Sequence, residues 1–461
     1  MKYRAKSKCD LKNDIFEAAA IVNTTDNNSK NKIPRIVVVG GGAGGLPLIC
    51  TLGKKLGKSK LAEIVLIDKN INHVWKPRLH ELASGALDEA TDFVNFSSHS
   101  HQYHYRFERG SVAGLDTDQK IISVSEVNDE SGNTTWPERQ LEYDYLILAV
   151  GSRSNSWDIP DVDQHCFFLD SINNALSIRK RLTNVFLAAI KNKHPARIAV
   201  VGGGAAGVEL CAEIARMAES MTGHAPDENA GDGIEIHLIE GSPQLLPRLN
   251  KIYGDKFSSY MHSINVTVHL GFEVVNVTPE FITSYNHQTV AADTIIWSAG
   301  IIAPAWLSQL KGIVTNPINQ VVVDASLCCP GVSGVYALGD CCSVYQNGEA
   351  LMIPPRAKVA KDMSDFLAQR IIDKVKGRGN DHEFHYRDSG SLIALSHYSS
   401  FGRVFSRLLG RSIIFEGTIA MWAYRLSYWS HHAAVCGYRS AVIHFLFRQL
   451  TRSKDLKLRL H

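Results

Sequence analysis

The strongest pattern of apolar and polar positions in this chain is a short β-branched run that leads into a glycine-rich turn, and it occurs twice. Residues 36–39, Ile-Val-Val-Val, lead into 40–45, Gly-Gly-Gly-Ala-Gly-Gly, and residues 198–201, Ile-Ala-Val-Val, lead into 202–207, Gly-Gly-Gly-Ala-Ala-Gly. An amphipathic stretch follows each turn. Each copy therefore predicts a buried strand, a tight turn and a helix.

Short apolar runs continue beyond both turns and alternate with helical patterns, which predicts doubly wound parallel sheets. Two analogous runs, 143–151 and 293–300, each stop at a glycine, and a later run ends in Gly339-Asp340. The similar closures indicate that an α/β unit was duplicated and that the second copy is inserted into the first. The polar stretch 217–233 is predicted to be a loop insertion in the second copy.

Both turns match the G-x-G-x-x-G fingerprint of Rossmann-like dinucleotide-binding domains. The first glycine allows the tight turn, the second lets the backbone approach a pyrophosphate, and the third lets the helix pack on the strand. Free N–H groups at the helix N-terminus then bind the phosphates. Two fingerprints predict two dinucleotides with electron transfer between them, bound by Gly40, Gly42, Ala43, Gly44 and Gly45 in the first copy and by Gly202, Gly204, Ala205, Ala206 and Gly207 in the second.

Each copy also carries an acidic residue at the end of its next apolar run, Asp68 in the first and Glu240 in the second. After a fingerprint, such a carboxylate accepts hydrogen bonds from the adenosine ribose hydroxyls and repels a 2′-phosphate. A solvated strand end is the alternative for either residue, and the fingerprint context favours the ribose role. Because no arginine stands at the second strand end, Glu240 predicts NADH rather than NADPH.

Composition narrows the class of protein. At 461 residues two or three domains are expected, and 45% hydrophobic with 21% charged residues is ordinary for a globular chain. The net charge of +3 gives no global signal for nucleic acid. The nine cysteines form no C-x-x-C and no metal-type spacing with histidine, so reduced thiols and no metal site are expected. No apolar run reaches the roughly 18 residues of a membrane span.

The order of these landmarks resembles the two-dinucleotide-binding flavoproteins related to glutathione reductase. The resemblance implies that the first fingerprint holds FAD and the second holds the nicotinamide dinucleotide. It also implies that Asp340 binds the ribityl chain of FAD, with Gly151 and Gly339 beside it, whereas Gly-Asp in isolation would indicate a β-turn. Ala299 and Gly300, at the second closure, are assigned to NADH.

Within this superfamily the chain resembles the type II NADH dehydrogenases, which are single-chain NADH:quinone oxidoreductases that do not pump protons. It lacks the redox cysteine pair of the disulphide reductases and a convincing cysteine set for a sulfide:quinone oxidoreductase. The resemblance runs from about residue 35 to residue 461 and is strongest to the enterobacterial form. It rests on the segments 75–81, 207–210, 354–357, 388–392 and 415–417.

The resemblance also implies roles for single residues. Lys76 would lie in a loop along the flavin, Glu209 would be a carboxylate beside the flavin and nicotinamide rings, and Pro355 and Ala357 would open the quinone site. A glutamate early in a helix also complements the helix dipole, which is the alternative for Glu209. For Cys341, directly after the Gly-Asp, a place near the flavin and a packing role are both open.

The chain departs from the family in three places. The family's quinone motif, A-Q-x-A-x-Q, stands here as 357–362, Ala-Lys-Val-Ala-Lys-Asp, so that Lys358 and Asp362 replace the glutamines in the predicted quinone site. At i and i+4 on a helix this pair is expected to bridge, which leaves less hydrogen-bonding capacity for a neutral quinone. Pro47 replaces a frequent glutamate in a first helical turn that tolerates proline, and residues 1–33 have no counterpart.

The end of the chain is basic and rich in aromatic residues. From Arg403 to His461 ten lysines and arginines stand against two acids. Three interpretations are open: amphipathic helices in a membrane interface, helices packed inside the protein, and a nucleic-acid surface. Interfacial tryptophan and tyrosine with basic residues favour the membrane, as does the resemblance. The apolar runs within 441–447 disfavour nucleic acid.

Together these observations predict an α/β protein with two Rossmann-like domains and a C-terminal amphipathic helical membrane-association region. The predicted segments are a disordered extension (1–33), an FAD domain in two parts (34–152 and 302–382), an NAD(H) domain (153–301) and the membrane-association region (383–461).

The predicted activity takes hydride from NADH and passes two electrons through FAD to a membrane quinone. The predicted location is the inner face of the cytoplasmic membrane, with peripheral attachment; a homodimer is a candidate assembly and no nucleic-acid partner is expected. Two alternative functions stay open. One is an NADH diaphorase with a non-quinone acceptor, and the other is a redox-sensing flavoprotein with a basic contact tail.

Overall fold

The computed structural model describes residues 32–451, apart from 88, 193–194, 224–232, 347, 380, 389, 397–398 and 407–410. The chain divides into two compact units. The first comprises the described residues within 1–73, 94–152 and 302–387, and the second those within 74–93, 153–301 and 388–461. The predicted disorder of residues 1–33 falls almost wholly outside the described residues.

The helices are, in chain order, α1 (Gly45–Leu52), α2 (Leu79–Ala83), α3 (Glu89–Asp92), α4 (Phe96–Tyr103), α5 (Val162–His165), α6 (Ile172–Asn192), α7 (Ala205–Thr222), α8 (Lys251–Ser263), α9 (Ala357–Val375), α10 (Thr418–Cys436) and α11 (Tyr438–Thr451). Short 3₁₀ turns occupy Lys76–Arg78, Ala305–Gln309 and Gly339–Cys341, and a π-helical turn occupies Gly53–Gly57.

Ten strands form two parallel sheets: β1 (Arg35–Val39), β2 (Glu63–Asp68), β3 (Arg106–Arg109), β4 (Tyr145–Leu148), β5 (Cys166–Phe168), β6 (Ala196–Val201), β7 (Ile234–Glu240), β8 (Val266–Leu270), β9 (Thr294–Trp297) and β10 (Val335–Ala337). The remaining strands are short: Asn72–His73, Val94–Asn95, Val112–Asp116, Ile121–Val124, Val127–Asn128, Thr134–Trp136, Arg139–Glu142, Arg153–Ser154, Val274–Val277, Phe281–Ser284, Thr289–Ala291, Ile301–Ile302, Val321–Val323, Cys342–Gln346, Glu349–Ala350, Ser391–Leu395, Ser399–Ser406 and Arg411–Glu416.

The sheet of the first unit has the strand order β10-β4-β1-β2-β3. Its central strand β1 pairs in parallel with β4 and β2, with Ile36 opposite Tyr145 on one side and Ile64 on the other. After Arg35 every residue of β1 is buried, as expected of a central strand in a parallel sheet that is covered on both faces. The β-branched run before the first turn is therefore the core of this unit.

The sheet of the second unit has the strand order β5-β9-β6-β7-β8. Its strands β9, β6, β7 and β8 occupy the same positions as β4, β1, β2 and β3 in the first sheet. Residues of β6, β7 and β9 form a buried core with α6 and α7, including Val200, Leu238 and Ile296. The two sheets differ in their outer strand, because β10 comes last in the first unit and β5 comes first in the second. The repeated order supports an internal duplication.

Residues 74–93 interrupt the first unit and belong to the second. Arg78 on this segment is buried and donates hydrogen bonds to Glu81 (Nε–Oε1, 2.9 Å) and Asp92 (Nη1–Oδ1, 2.9 Å). Its guanidinium lies 4.3 Å from the ring centroid of Tyr428 on α10. Because a buried arginine is costly without such partners, these contacts fix the segment to the C-terminal helices within the second unit.

Two expectations need correction. The stretch 217–233 was predicted to be a loop, but α7 continues to Thr222, because Met217, Ala218 and Met221 fall on its buried face; residues 224–232 lie outside the described residues. The region 383–461 was predicted to be helical, but Ser391–Leu395, Ser399–Ser406 and Arg411–Glu416 form an antiparallel sheet before the helices begin. Within the described residues, no helix is long and apolar enough to cross a membrane.

Candidate functional site

The first fingerprint turn needs glycine at both of its ends. Gly40 has φ +99°, and a β-carbon there would lie 2.5 Å from the carbonyl oxygen of Ala149. A β-carbon on Gly45 would lie 1.8 Å from the carbonyl oxygen of Gly40. Helix α1 therefore packs on β1 at a distance that only glycine allows.

The second turn repeats this geometry. Gly202 has φ +115°, and its β-carbon would lie 2.9 Å from the backbone nitrogen of Ala299. A β-carbon on Gly207 would lie 1.9 Å from the carbonyl oxygen of Gly202. The second turn thus rests directly on the backbone that leads to Gly300, so the structure brings these predicted residues together at the carboxyl ends of β6 and β9.

The middle of each turn is open. A β-carbon on Gly42 or on Gly204 would meet no atom within 4 Å. No side chain caps α1 or α7, and neither helix has an acidic residue in its first turn. In α7 the N–H groups of Ala205, Ala206 and Gly207 precede the first helical hydrogen bond, from Val208 to the Gly204 oxygen (3.1 Å), and are left for an anion. In α1 the N–H of Leu46 already donates to the Gly42 oxygen (3.1 Å) and Pro47 has no N–H, so an anion is left the N–H groups of the turn that precede Leu46. The two turns therefore fit the pyrophosphates of FAD and NADH.

A carboxylate at the end of the second strand holds the first turn in place. Asp68 Oδ2 accepts a hydrogen bond from the N–H of Gly41 (2.7 Å), and Oδ1 accepts one from the N–H of Asn70 (2.8 Å). Burial raises the pKa of the Asp68 carboxyl, and these backbone donors oppose that rise. Oδ1 also accepts a hydrogen bond from the side-chain amide of Asn70 (3.1 Å), so Oδ2 is the oxygen that keeps a lone pair for a ribose hydroxyl.

Glu240 makes the same pair of contacts in the second unit. Its Oε2 accepts from the N–H of Gly203 and its Oε1 from the N–H of Ser242, both at 2.7 Å. Gly41 and Gly203 were not predicted as site residues, although the unbroken glycine triplets could have suggested a role for the middle position. Asp68 and Glu240 are thus turn-holding residues as well as candidate ribose acceptors.

The late Gly-Asp motif follows β10. Gly339 has φ +76°, and Asp340 Oδ2 accepts a hydrogen bond from the hydroxyl of Ser152 (3.0 Å), which follows Gly151. A β-carbon on Gly44 would lie 2.5 Å from Leu338 Cδ1, so this glycine has a packing reason of its own, and its contact with phosphate stays a prediction. The predicted FAD residues other than Lys76 therefore gather at the carboxyl edge of the first sheet.

Lys76 lies apart from these residues along the chain, in the segment that belongs to the second unit. Its Nζ is 3.9 Å from Asp170 Oδ1, and its side chain is about half exposed. The contact with Asp170 gives it an ionic partner within its own unit, and its assignment to FAD stays a prediction.

Cys341 has a packing role. Its Sγ lies 3.3 Å from the carbonyl oxygen of Leu338, and burial raises the pKa of its thiol to about 11. A thiol with this pKa is protonated at neutral pH and is a poor nucleophile. Every cysteine in the described part of the chain is free of disulfide bonds.

Glu209 lies on α7 and is buried. Its Oε1 accepts a hydrogen bond from the N–H of Ala394 (2.9 Å), and its Oε2 is 3.7 Å from His80 Nδ1. Burial raises the pKa of Glu209 to about 7, which His80 and the Ala394 N–H oppose. A carboxyl with this pKa can exchange a proton near neutral pH, and the catalytic role of Glu209 stays a prediction.

The predicted quinone residues lie at the start of α9 in the first unit. Pro355 precedes the helix and Ala357 begins it. Lys358 donates a hydrogen bond to Asp362 four residues on, and both side chains are exposed. The expected i, i+4 bridge is therefore present.

Comparison with known proteins identifies first a broad family and then a narrower one. Residues 34–364 match the pyridine nucleotide-disulphide oxidoreductase family. A type II NADH:quinone oxidoreductase from Haemophilus influenzae is 31% identical over 443 residues, covering 92% of this chain and 99% of that protein. The chain therefore belongs to the type II NADH:quinone oxidoreductases within that larger family, and the predicted family is confirmed.

More distant relatives agree. A type II NADH:quinone oxidoreductase from Staphylococcus aureus is 24% identical over 81% of this chain and 90% of its own length. The structure of NDH2 from Plasmodium falciparum in complex with NADH superimposes with a TM-score of 0.76 at 19% identity, covering 91% of this chain and 98% of that one. The predicted α/β fold with parallel sheets is thus confirmed.

Substitutions at Gly204 and Gly207 in the second turn should have different effects. Gly207→Ala places a methyl group against the Gly202 carbonyl and should lower unfolding stability by about 3 kcal/mol, although alanine is otherwise the better helix former. Gly204→Ala meets no protein atom, so its Tm should equal that of the wild type while NADH binds about tenfold more weakly. Thermal unfolding, and anaerobic NADH titration of protein whose FAD has been reduced beforehand, check both variants. Wild-type NADH affinity in Gly204→Ala would contradict the site.

Glu209 predicts a pH-dependent stability. Its pKa is higher in the folded than in the unfolded chain, so its contribution is fully present below about pH 4.5 and is lost as pH rises to about 7. The Tm of Glu209→Gln should therefore gain on the wild-type Tm between pH 5 and pH 8. Glu219→Gln, an exposed position on the same helix, is the control and should track the wild type. A constant difference for Glu209→Gln would contradict the raised pKa.

Proposed function

We propose that this chain oxidises NADH and passes two electrons to a quinone, with the net reaction NADH + H⁺ + quinone → NAD⁺ + quinol. The observation that carries the proposal is the duplicated nucleotide turn, with an open glycine, an uncapped helix and a strand-end carboxylate in each unit. The names of the Haemophilus and Staphylococcus relatives support the choice of NADH and quinone.

The first unit would hold FAD through the turn at Gly40–Gly45, with Asp68 toward the ribose and Asp340 toward the ribityl chain. Bound FAD supplies the two-electron redox chemistry, which the chain's own side chains do not provide. The donor set fits it, because an uncapped helix start suits a pyrophosphate and two carboxylates suit hydroxyl groups.

The second unit would hold NADH. Gly202–Gly207 would bind the pyrophosphate, Glu240 the adenosine ribose, and Ala299 and Gly300 the nicotinamide half. The carboxylate of Glu240 would repel a 2′-phosphate and so select against NADPH. Glu209 would take up or release a proton at Oε2, supported by its burial, its partner His80 and its raised pKa.

The acceptor site would lie at Pro355, Ala357, Lys358 and Asp362. The Lys358–Asp362 pair is exposed and leaves its charges accessible to water, so it suits the polar head of an acceptor better than an apolar chain. A non-quinone acceptor is the second candidate, and this ion pair is what favours it.

Steady-state kinetics of the FAD-loaded protein test the function. With a water-soluble quinone, NADH should be oxidised, and kcat/KM for NADPH should be at least about tenfold lower because of the Glu240 carboxylate. Ferricyanide serves as the control acceptor. Rapid NADH oxidation with ferricyanide but none with quinone would assign the chain to the diaphorases.

Peripheral attachment to an anionic membrane through α10 and α11 is the second part of the proposal. Ile419, Trp422 and Leu426 follow one stripe of α10, and Ile443 and Leu446 share a face of α11; all five are exposed. Arg425 lies 5.3 Å from the ring of Trp422. An exposed apolar stripe bordered by arginine suits a lipid headgroup interface. Self-association of the chain stays a prediction.

Vesicle flotation tests the attachment. The double change Trp422→Glu with Ile443→Glu should reduce binding to phosphatidylglycerol vesicles about tenfold or more, because two charges would enter the interface. Ile252→Glu changes an equally exposed apolar residue on α8 and should leave binding unchanged. Equal losses in both variants, or none in the double variant, would contradict attachment through these helices.

A further inference from the structure

The loop after Ser154 holds a tryptophan in an unfavourable backbone conformation. Trp157 and Asp158 both lie in the left-handed region, with φ of +57° and +54°. For a bulky residue this conformation costs about 1–3 kcal/mol and persists where the surroundings impose it, often at ligand clamps. Burial of the side chain does not offset the cost, because Trp157 is 57% exposed.

Two hydrogen bonds accepted by the buried residue Asn155 hold this conformation. The side-chain oxygen of Asn155 accepts a hydrogen bond from the N–H of Trp157 (2.9 Å). The carbonyl oxygen of Asn155 accepts one from the indole N–H of Trp297 (2.8 Å), which is buried at the end of β9. Asn155 thus connects the Trp157 backbone to the core of the second unit, while the Trp157 indole stays exposed.

The indole lies directly against Gly300. A β-carbon on Gly300, whose φ is +69°, would be 2.6 Å from Trp157 Cζ2. The preceding residue, Ala299, supports the phosphate-binding turn at Gly202. The Trp157 ring therefore contacts Gly300, which directly follows the residue that supports the turn at Gly202.

The strand order tells which half of the dinucleotide comes closest to this ring. In the order β9-β6-β7, the phosphate-binding turn follows β6, Glu240 ends β7 on one side, and Gly300 follows β9 on the other. A dinucleotide crosses the carboxyl edge of such a sheet with its pyrophosphate at the central turn. With the adenosine ribose at Glu240, the nicotinamide riboside extends toward Gly300.

We propose that Trp157 is a positioning residue of the NADH site, whose indole packs against the nicotinamide-riboside half of the bound dinucleotide. The inference rests on the proposed binding of NADH to the second unit. Ring packing of this kind strengthens binding by about 3- to 10-fold.

Anaerobic calorimetric titration of the holoenzyme with two ligands tests the proposal, with the FAD reduced beforehand so that bound NADH is not oxidised. ADP-ribose contains the adenosine half and the pyrophosphate but no nicotinamide. Trp157→Gly should weaken NADH about 3- to 10-fold and leave the Kd for ADP-ribose within about twofold. Trp157→Phe should restore most of the NADH affinity. Trp422→Ala, at an exposed tryptophan on α10, should change neither ligand's Kd.

Two further measurements separate positioning from a structural role. Because glycine adopts φ +57° without strain, the Tm of Trp157→Gly should equal or exceed that of the wild type. Energy transfer from excited tryptophan to bound NADH should be smaller in Trp157→Phe than in Trp422→Phe.

The outcomes are distinct. If Trp157→Gly weakens ADP-ribose as much as NADH, or leaves NADH affinity unchanged, the positioning role is overturned while NADH binding by the second unit stands. If the wild-type protein binds ADP-ribose and NADH equally, the indole makes no contact with the nicotinamide half and the inference fails. If the wild type binds neither ligand, the proposed function fails and this inference fails with it.

Discussion

The hydrogen bond from the middle glycine of each fingerprint to a strand-end carboxylate is the constraint on which both nucleotide sites depend. Asp68 accepts from Gly41 and Glu240 from Gly203, each at 2.7 Å. The bond ties the end of the second strand to the turn after the first strand. The open glycine and the uncapped helix are thereby kept in one arrangement. A solvated strand end and a ligand-binding carboxylate were alternatives in the sequence, but the structure gives these residues a third role.

Local spacing made much of the fold and site predictable. The strand–turn–helix units, the two closing strands and the Lys358–Asp362 bridge each depend on residues close in sequence. Long-range packing decides the features that were missed. The continuation of α7 to Thr222 depends on a buried face that polar neighbours conceal in the sequence. The partners of Glu209, His80 and Ala394, are 129 and 185 positions away along the chain, and no local pattern connects them.

The proposed electron path begins at the NADH turn of the second unit and ends at the acceptor residues at the start of α9. The sequence matches the family's pattern at the first of these places and departs from it at the second. In the second unit, close backbone contacts require glycine at Gly202 and Gly207, where a β-carbon would lie 2.9 Å and 1.9 Å from backbone atoms. At the start of α9, Lys358 and Asp362 form an ion pair at the positions where the resemblance implies two neutral glutamines. A charged pair in water is strongly hydrated and is screened by salt, so the attraction between Lys358 and Asp362 weakens as the ionic strength rises.

The interleaving of the two units also sets an order of assembly during synthesis. All five strands of the second sheet lie within residues 166–297, so that sheet has its full set of strands once Trp297 has left the ribosome. The first sheet must wait for β10 at Val335–Ala337. Because chains fold as they emerge, the unit begun second would be the first with a complete sheet. The proposed FAD site begins at Gly40, and it is complete only after Asp340, which follows 300 residues later.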